Sequence, residues 1–262
     1  MADSTIKNKN TNFRFADVGT LPKHMLPPIE GYQKMPLVTL EEAVEPLVQI
    51  VPNVKRSVYI VKQNCQNPED GLTTDESASI MLYTFESMPN EHSLYAKLNT
   101  ALRSDQRQIL NPWFLYLRLI LTALSRLPSK RRSVFRGVKK NLSSEYKEGM
   151  HVIWWEFSSC TSSIEMLENE QLFGRTGSRT LFQIQCKTAK DITKHSLMSS
   201  EDEILLLPAT QFQVEAYLDS GNGLHIVGLT ELDPMFSLLE PVLSPIQATQ
   251  PLAKCSMTSQ GQ

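Results

Sequence analysis

The sequence predicts an α+β fold in which a helical first half precedes a strand-rich second half. Two capping-box pairs, Thr39 with Glu42 and Thr73 with Glu76, each stand ahead of apolar residues at helical spacing. After Pro128 the texture changes to short apolar runs bounded by polar or glycine-containing turns, the pattern of strands. No internal repeat is visible, and 262 residues with 41% hydrophobic content suffice for one sizeable core with a helical annex.

Residues 1–37 are polar and carry Pro22, Pro27, Pro28 and Pro36, so they read as an N-terminal tail and extended wrap. Residues 38–128 read as a helical subdomain of about four helices. The first contains Ala43, Val44, Leu47 and Val48, with Pro46 placed to kink or shorten it. Asn64–Gly71 is a loop, and the helix that opens at Thr73 runs through Ile80, Leu82, Tyr83 and Phe85. Glu91–Arg103 forms a third, with Leu94, Leu98 and Leu102 on one face. Asn111 and Pro112 provide an N-cap and first-turn pair for the apolar stretch Trp113–Leu127. That stretch carries Arg118 and Arg126 and is short for a bilayer, so a buried helix is expected.

Residues 129–243 read as the strand-rich core, with strands over Val134–Val138, Met150–Ser159, Thr180–Cys186, Glu203–Leu207, Phe212–Leu218 and Leu224–Leu229. One short helix is expected over Ser163–Leu172, and Asp219–Gly223 reads as a hairpin loop. Residues 244–262, rich in Gln, Ser and Pro, read as a disordered tail.

A net charge of -2 provides no global basic field, so nucleic acid is not expected as a partner. The run Lys130-Arg131-Arg132, continued by Arg136, Lys139 and Lys140, reads as a solvated face, with a nucleic-acid patch as the competing reading. The four cysteines and five histidines are dispersed without metal-ligand spacing, so thiols in a reducing compartment and no metal are expected. Met1–Asn12 lacks the apolar core of a secretory signal, which together with the absence of a membrane segment predicts an intracellular, cytoplasmic protein. Gly174-Arg175-Thr176-Gly177 lacks the Lys-Ser/Thr ending of a phosphate loop and reads as a turn.

Three features of the second half carry possible chemistry. Phe135-Arg136-Gly137-Val138 puts a guanidinium near a strand end beside an approachable backbone, which suits a diphosphate and a planar amide; taken alone, an arginine satisfied by a carboxylate at a strand end is the stronger reading. Phe157-Ser158-Ser159-Cys160-Thr161-Ser162 places hydroxyls at a strand end, where they orient a ligand or simply serve a turn. Glu201-Asp202-Glu203 precedes the apolar run Ile204–Leu207. If the segment is extended, Glu201 and Glu203 share a face; the competing reading is a solvated acidic turn.

In this order, with intervals of about 20 and then 40 residues, the three features resemble the arginine-specific mono-ADP-ribosyltransferases with an R-S-E motif. Phe212-Gln213-Val214 also follows where that family has such a triplet. The resemblance implies a core of two packed sheets that transfers ADP-ribose from NAD, with NADP as an alternative donor, to an arginine of a protein acceptor. Arg136 would then bind a phosphate of NAD and the Gly137 backbone the carboxamide of the nicotinamide. Ser159 would orient Glu203 and contact the ribose, Glu203 would meet the ribose 2′-hydroxyl, and Glu201 would activate the acceptor guanidinium. The chemistry fits these roles: breaking the nicotinamide–ribose bond creates an oxocarbenium-like centre, which a preorganised carboxylate stabilises. The loop Asp191–Ser200 lacks the aromatic residues many relatives carry there, which bears on the acceptor. Alternatives are an NAD glycohydrolase and a non-catalytic NAD-binding or interaction module. Oligomeric state is not legible.

Overall fold

The computed structural model describes residues 13–17, 19–129, 131–168, 173–197 and 202–242. The helical layer comprises α1 (Leu40–Val44), α2 (Val54–Asn64), α3 (Thr74–Thr84), α4 (Leu94–Leu102) and α5 (Phe114–Arg126). Both capping boxes form, Thr39 with Glu42 and Thr73 with Glu76. Pro46 ends α1 after one turn, and the chain tightens into a 3-10 turn over Glu45–Leu47. Helix α2 follows as a separate element that the spacing of apolar residues did not single out.

Asn111 and Pro112 do not cap α5. They lie inside a 3-10 turn, Arg107–Trp113, which buries Leu110 and Trp113 and runs directly into α5. Because Trp113 is already helical, α5 needs no side-chain cap. Helix α3 is buried from Glu76 to its end at Thr84, and the Tyr116 hydroxyl of α5 donates to the Ser79 carbonyl at 2.8 Å.

The strands are β1 (Arg132–Val138), β2 (His151–Trp154), β3 (Ser158–Thr161), β4 (Arg179–Cys186), β5 (Lys190–Asp191), β6 (Glu203–Leu206), β7 (Thr210–Asp219) and β8 (Leu224–Leu232). They lie in the order β2-β7-β8-β4-β1-β3-β6-β5, with β4 and β8 parallel. The junction between β1 and β3 is a single residue pair, Phe135 with Thr161. On one side of it stand five strands and on the other three. Inner-face residues of both, among them Val134, Phe182 and Val227 with Cys160, Ile204 and Leu206, share one core. The expected two packed sheets are thus two halves of one sheet that continue through that pair.

The stretch 150–159 is not one strand. Strand β2 pairs with β7 at one edge, whereas β3 pairs with β6 in the other half. Between them Trp155 and Phe157 turn into the helical core, where the Arg107 guanidinium lies 4.6 Å above the Trp155 ring. The Phe157 carbonyl accepts from Tyr83 Oη at 3.3 Å and Asn99 Nδ2 at 3.2 Å. Packing of these two aromatics against α3 and α4 redirects the chain.

Of the stretch 163–172, the described part is a 3-10 turn, Ile164–Glu168, and the remainder lies outside the described residues. The hairpin loop between β7 and β8 forms as expected. Residues 19–37 wrap the helical layer: Leu26, Ile29 and Tyr32 are buried in its core, and Ile29 bridges to Leu239. The tail 243–262 lies outside the described residues. No helix among the described residues is long and apolar enough to cross a membrane.

Candidate active site

Pairing of β3 with β6 sets the site. Thr161 stands opposite Glu203 and Ser159 opposite Leu205, so Ser159, Thr161, Glu203 and Leu205 share a sheet face. Leu205 on that face joins the helical core, while Cys160, Ile204 and Leu206 face the core between the sheet halves. Glu203 therefore points toward the end of α3 and is fully buried.

Among the described residues, two side chains meet the Glu203 carboxylate. Arg14 meets it with two parallel hydrogen bonds, Nε to Oε1 at 2.9 Å and Nη2 to Oε2 at 2.8 Å. Ser196 donates its hydroxyl to Oε2 at 3.2 Å. Arg14 Nη1 also reaches Glu86 Oε1 at 3.2 Å and the Thr84 carbonyl at 3.5 Å. The acidic strand, the residues after α3 and an N-terminal turn, Phe13–Ala16, thus converge on one guanidinium.

Ser159 is buried on the same face as Glu203, but their side chains are not hydrogen-bonded. Ser196 makes the contact expected of Ser159, because Ser159 stands opposite Leu205, one residue pair away from the Thr161–Glu203 pair on that face. The Ser159 hydroxyl has no hydrogen-bond partner among the described residues. Arg136 is also buried. It shares a face of β1 with Val134 and Val138, its guanidinium 5.9 Å from the Trp154 ring centre, and donates to the carbonyls of Ser159 and Asp17. Arg131, Lys139 and Lys140 of the basic run are exposed, and Lys130 lies outside the described residues.

Gly137 sits under the ring of Phe173, and a Cβ there would stand 2.6 Å from the ring's Cγ. The close approach explains a glycine at this point of β1. Glu201 lies outside the described residues. Its neighbour Asp202 has φ +45°, in the left-handed region, and β6 begins only at Glu203. The premise of an extended Glu201–Glu203 segment therefore fails, and strand alternation does not fix the direction of Glu201.

The loop before β6 is tied to the helical layer. His195 is fully buried, its Nδ1 2.9 Å from Ser77 Oγ and its Nε2 3.3 Å from Asp70 Oδ2. The Leu197 amide donates to Thr84 Oγ1 at 3.2 Å. Between these two anchors stands Ser196, the hydroxyl that touches Glu203. Sequence reasoning missed Arg14, Glu86 and Ser196. For Arg14 a signal existed, the cluster Phe13-Arg14-Phe15 within an otherwise polar stretch.

The described cysteines, Cys65, Cys160 and Cys186, are free and buried; burial pushes the Cys160 thiol up to about 12. Among the described residues no group of three or more His, Cys, Asp or Glu is arranged to hold a metal ion.

Solved structures share this fold. The chain is 18% identical to the ADP-ribosyltransferase Vis in complex with agmatine, over 79% of this chain and 92% of that one, with a TM-score of 0.51. HopU1 of Pseudomonas syringae pv. tomato DC3000 is 18% identical over 67% of this chain and 87% of its own, at a TM-score of 0.54. The eukaryotic mono-ADP-ribosyltransferase ART2.2 is 18% identical over 75% and 85%, also at 0.54. A search of curated protein sequences returns no significant match. The family model of NAD:arginine ADP-ribosyltransferases matches residues 34–235, a span that holds Arg136, Ser159 and Glu203. The chain belongs to the NAD:arginine ADP-ribosyltransferase family.

Proposed function

We propose that Glu203 is the carboxylate that stabilises the ribose cation when this chain moves ADP-ribose from NAD to a protein arginine. The observation that carries this reading is a fully buried carboxylate that already holds a cation through two hydrogen bonds. Such an anion, fixed where positive charge develops, favours the transition state over the ground state. Ser196 orients Glu203, and the unpartnered hydroxyl of Ser159, on the same sheet face, is available to the ribose. Arg136, whose guanidinium now meets two carbonyl oxygens, supplies the charge for a phosphate of the donor. The Gly137 backbone is assigned to the carboxamide, as the resemblance to the family implies. Nicotinamide leaves as a neutral group and needs no acid.

Glu201 is assigned to the acceptor, whose guanidinium is protonated at neutral pH and needs a carboxylate to orient it and receive its proton. The solved complex of Vis with agmatine supports a guanidine as acceptor class. The donor is NAD, with NADP as the alternative. Incubation with labelled NAD and agmatine should give a labelled adduct, and Glu203→Gln should reduce its formation by about a hundredfold to a thousandfold. Equal labelling by both proteins would remove Glu203 from this role.

A further inference from the structure

We infer that Glu203, Glu86 and the Thr84 carbonyl form a guanidinium-binding cradle whose occupant, Arg14, is an internal ligand that NAD must displace. The inference rests on the assignment of the donor site to Glu203 and Arg136.

The N-terminal turn lies against both β1 and β3, across their single-pair junction. Its two ends meet the two charged poles of the site. Arg14 places a cation on Glu203, where the charge of the nicotinamide ribose would develop, and the Asp17 carbonyl places an acceptor oxygen on Arg136, where a phosphate would sit. The segment thus reproduces, in four residues, the charge order of the nicotinamide half of NAD: positive at one end, electron-rich oxygen at the other.

The segment is anchored, not merely adjacent. The Arg14 backbone amide donates to Glu86 Oε1 at 3.1 Å. The Asp17 carboxylate accepts from Asn99 Nδ2 at 2.8 Å and Arg103 Nη2 at 3.2 Å. Past it, Gly19–Pro22 close over Arg136, and the space remaining there is about 10 Å³. A small-molecule site typically needs about 300 Å³ or more, so NAD and the segment exclude each other. A hollow of about 630 Å³ is lined by Thr20–Met25 and by residues of 144–155, and not by Arg136, Ser159 or Glu203. The cradle satisfies Glu203 while NAD is absent, and tethering gives even a weak contact a millimolar effective concentration.

The test is NAD binding by calorimetry to the full chain, to Arg14→Ala and to Arg14→Gln. We expect both variants to bind NAD about tenfold tighter or more. A synthetic peptide spanning residues 13–22 should weaken that binding competitively, and its Arg14→Ala version should not. On the wild-type chain, which needs no variant to fold, saturating NAD should speed amide hydrogen exchange at residues 14–17. Finite and equal NAD affinity with unchanged exchange overturns the internal ligand and leaves the transferase assignment standing. Absence of NAD binding from all three chains overturns both.

Discussion

Ser77 of α3 and His195 of the loop before β6 are joined side chain to side chain at 2.9 Å, and both are buried. The bond ties the loop that carries Ser196 to the most enclosed helix of the molecule. The arrangement with Asp70 has the membership of a nucleophilic triad, but the serine is buried within a packed helix and the histidine is fully buried. Its work is positioning.

His195→Ala should therefore leave Ser77 and the Asp70 carboxylate short of a partner, at a cost of about 1–3 kcal/mol. Because Ser196 is the next residue, kcat for nicotinamide release should fall more than KM for NAD rises. His195→Gln, which keeps a donor and an acceptor, should recover part of both losses. Thermal melts beside steady-state kinetics check this; a destabilised His195→Ala with wild-type kcat would separate the histidine from the site.

Gly137→Ala tests the contact that leaves this strand without a side chain. The added methyl meets the root of Phe173, its Cβ at 2.8 Å and Cγ at 2.6 Å, so the ring cannot simply swing aside. Overpacking of this kind costs about 1–3 kcal/mol. In the background of Phe173→Ala the same substitution should cost measurably less, and urea denaturation of the four proteins in the cycle reads the coupling. Strict additivity would show that Phe173 is not what excludes a side chain at Gly137.

Glu156 provides a pH test. Burial raises its carboxyl pKa above the ordinary value of 4.5, with Arg103, 3.6 Å away, acting in the opposite direction. The folded chain thus holds a proton that the unfolded chain has released. The stability Glu156 contributes is fully present below its unfolded value and is lost as pH rises through the folded one. Glu156→Gln removes that loss, so its stability relative to the wild type should increase as pH rises from about 4.5 and then level off. Denaturant midpoints across that range check it; a difference that shrinks with rising pH would contradict the sign.

What the sequence disclosed was local. Thr73 and Glu76 announce the start of α3 because a capping box is made within four residues, and the glycine-bearing loop before β8 announces a hairpin for the same reason. Arg136, Ser159 and Glu203 were legible as residue types in order. Their surroundings were not, because the partners come from far along the chain: Arg14 and Glu203 are separated by 189 positions. The break between β2 and β3 was hidden for a related reason. Trp155 and Phe157 suit a strand by composition, and only the helical layer decides that they leave the sheet. Asp202 marks the limit of the alternation rule, since one left-handed residue before a strand is invisible to it.

The parallel pairing of β4 with β8 has a consequence for how the molecule assembles. Antiparallel neighbours can zip outward from a turn, but a parallel pair must wait for its whole connection. Here the connection contains β5, β6 and β7, so the strand bearing Glu203 is itself part of the crossover. The β4–β8 pair at the centre of the sheet closes a loop that carries that strand within it. Pairing there is therefore long-range, the kind of high-contact-order pairing that slows folding.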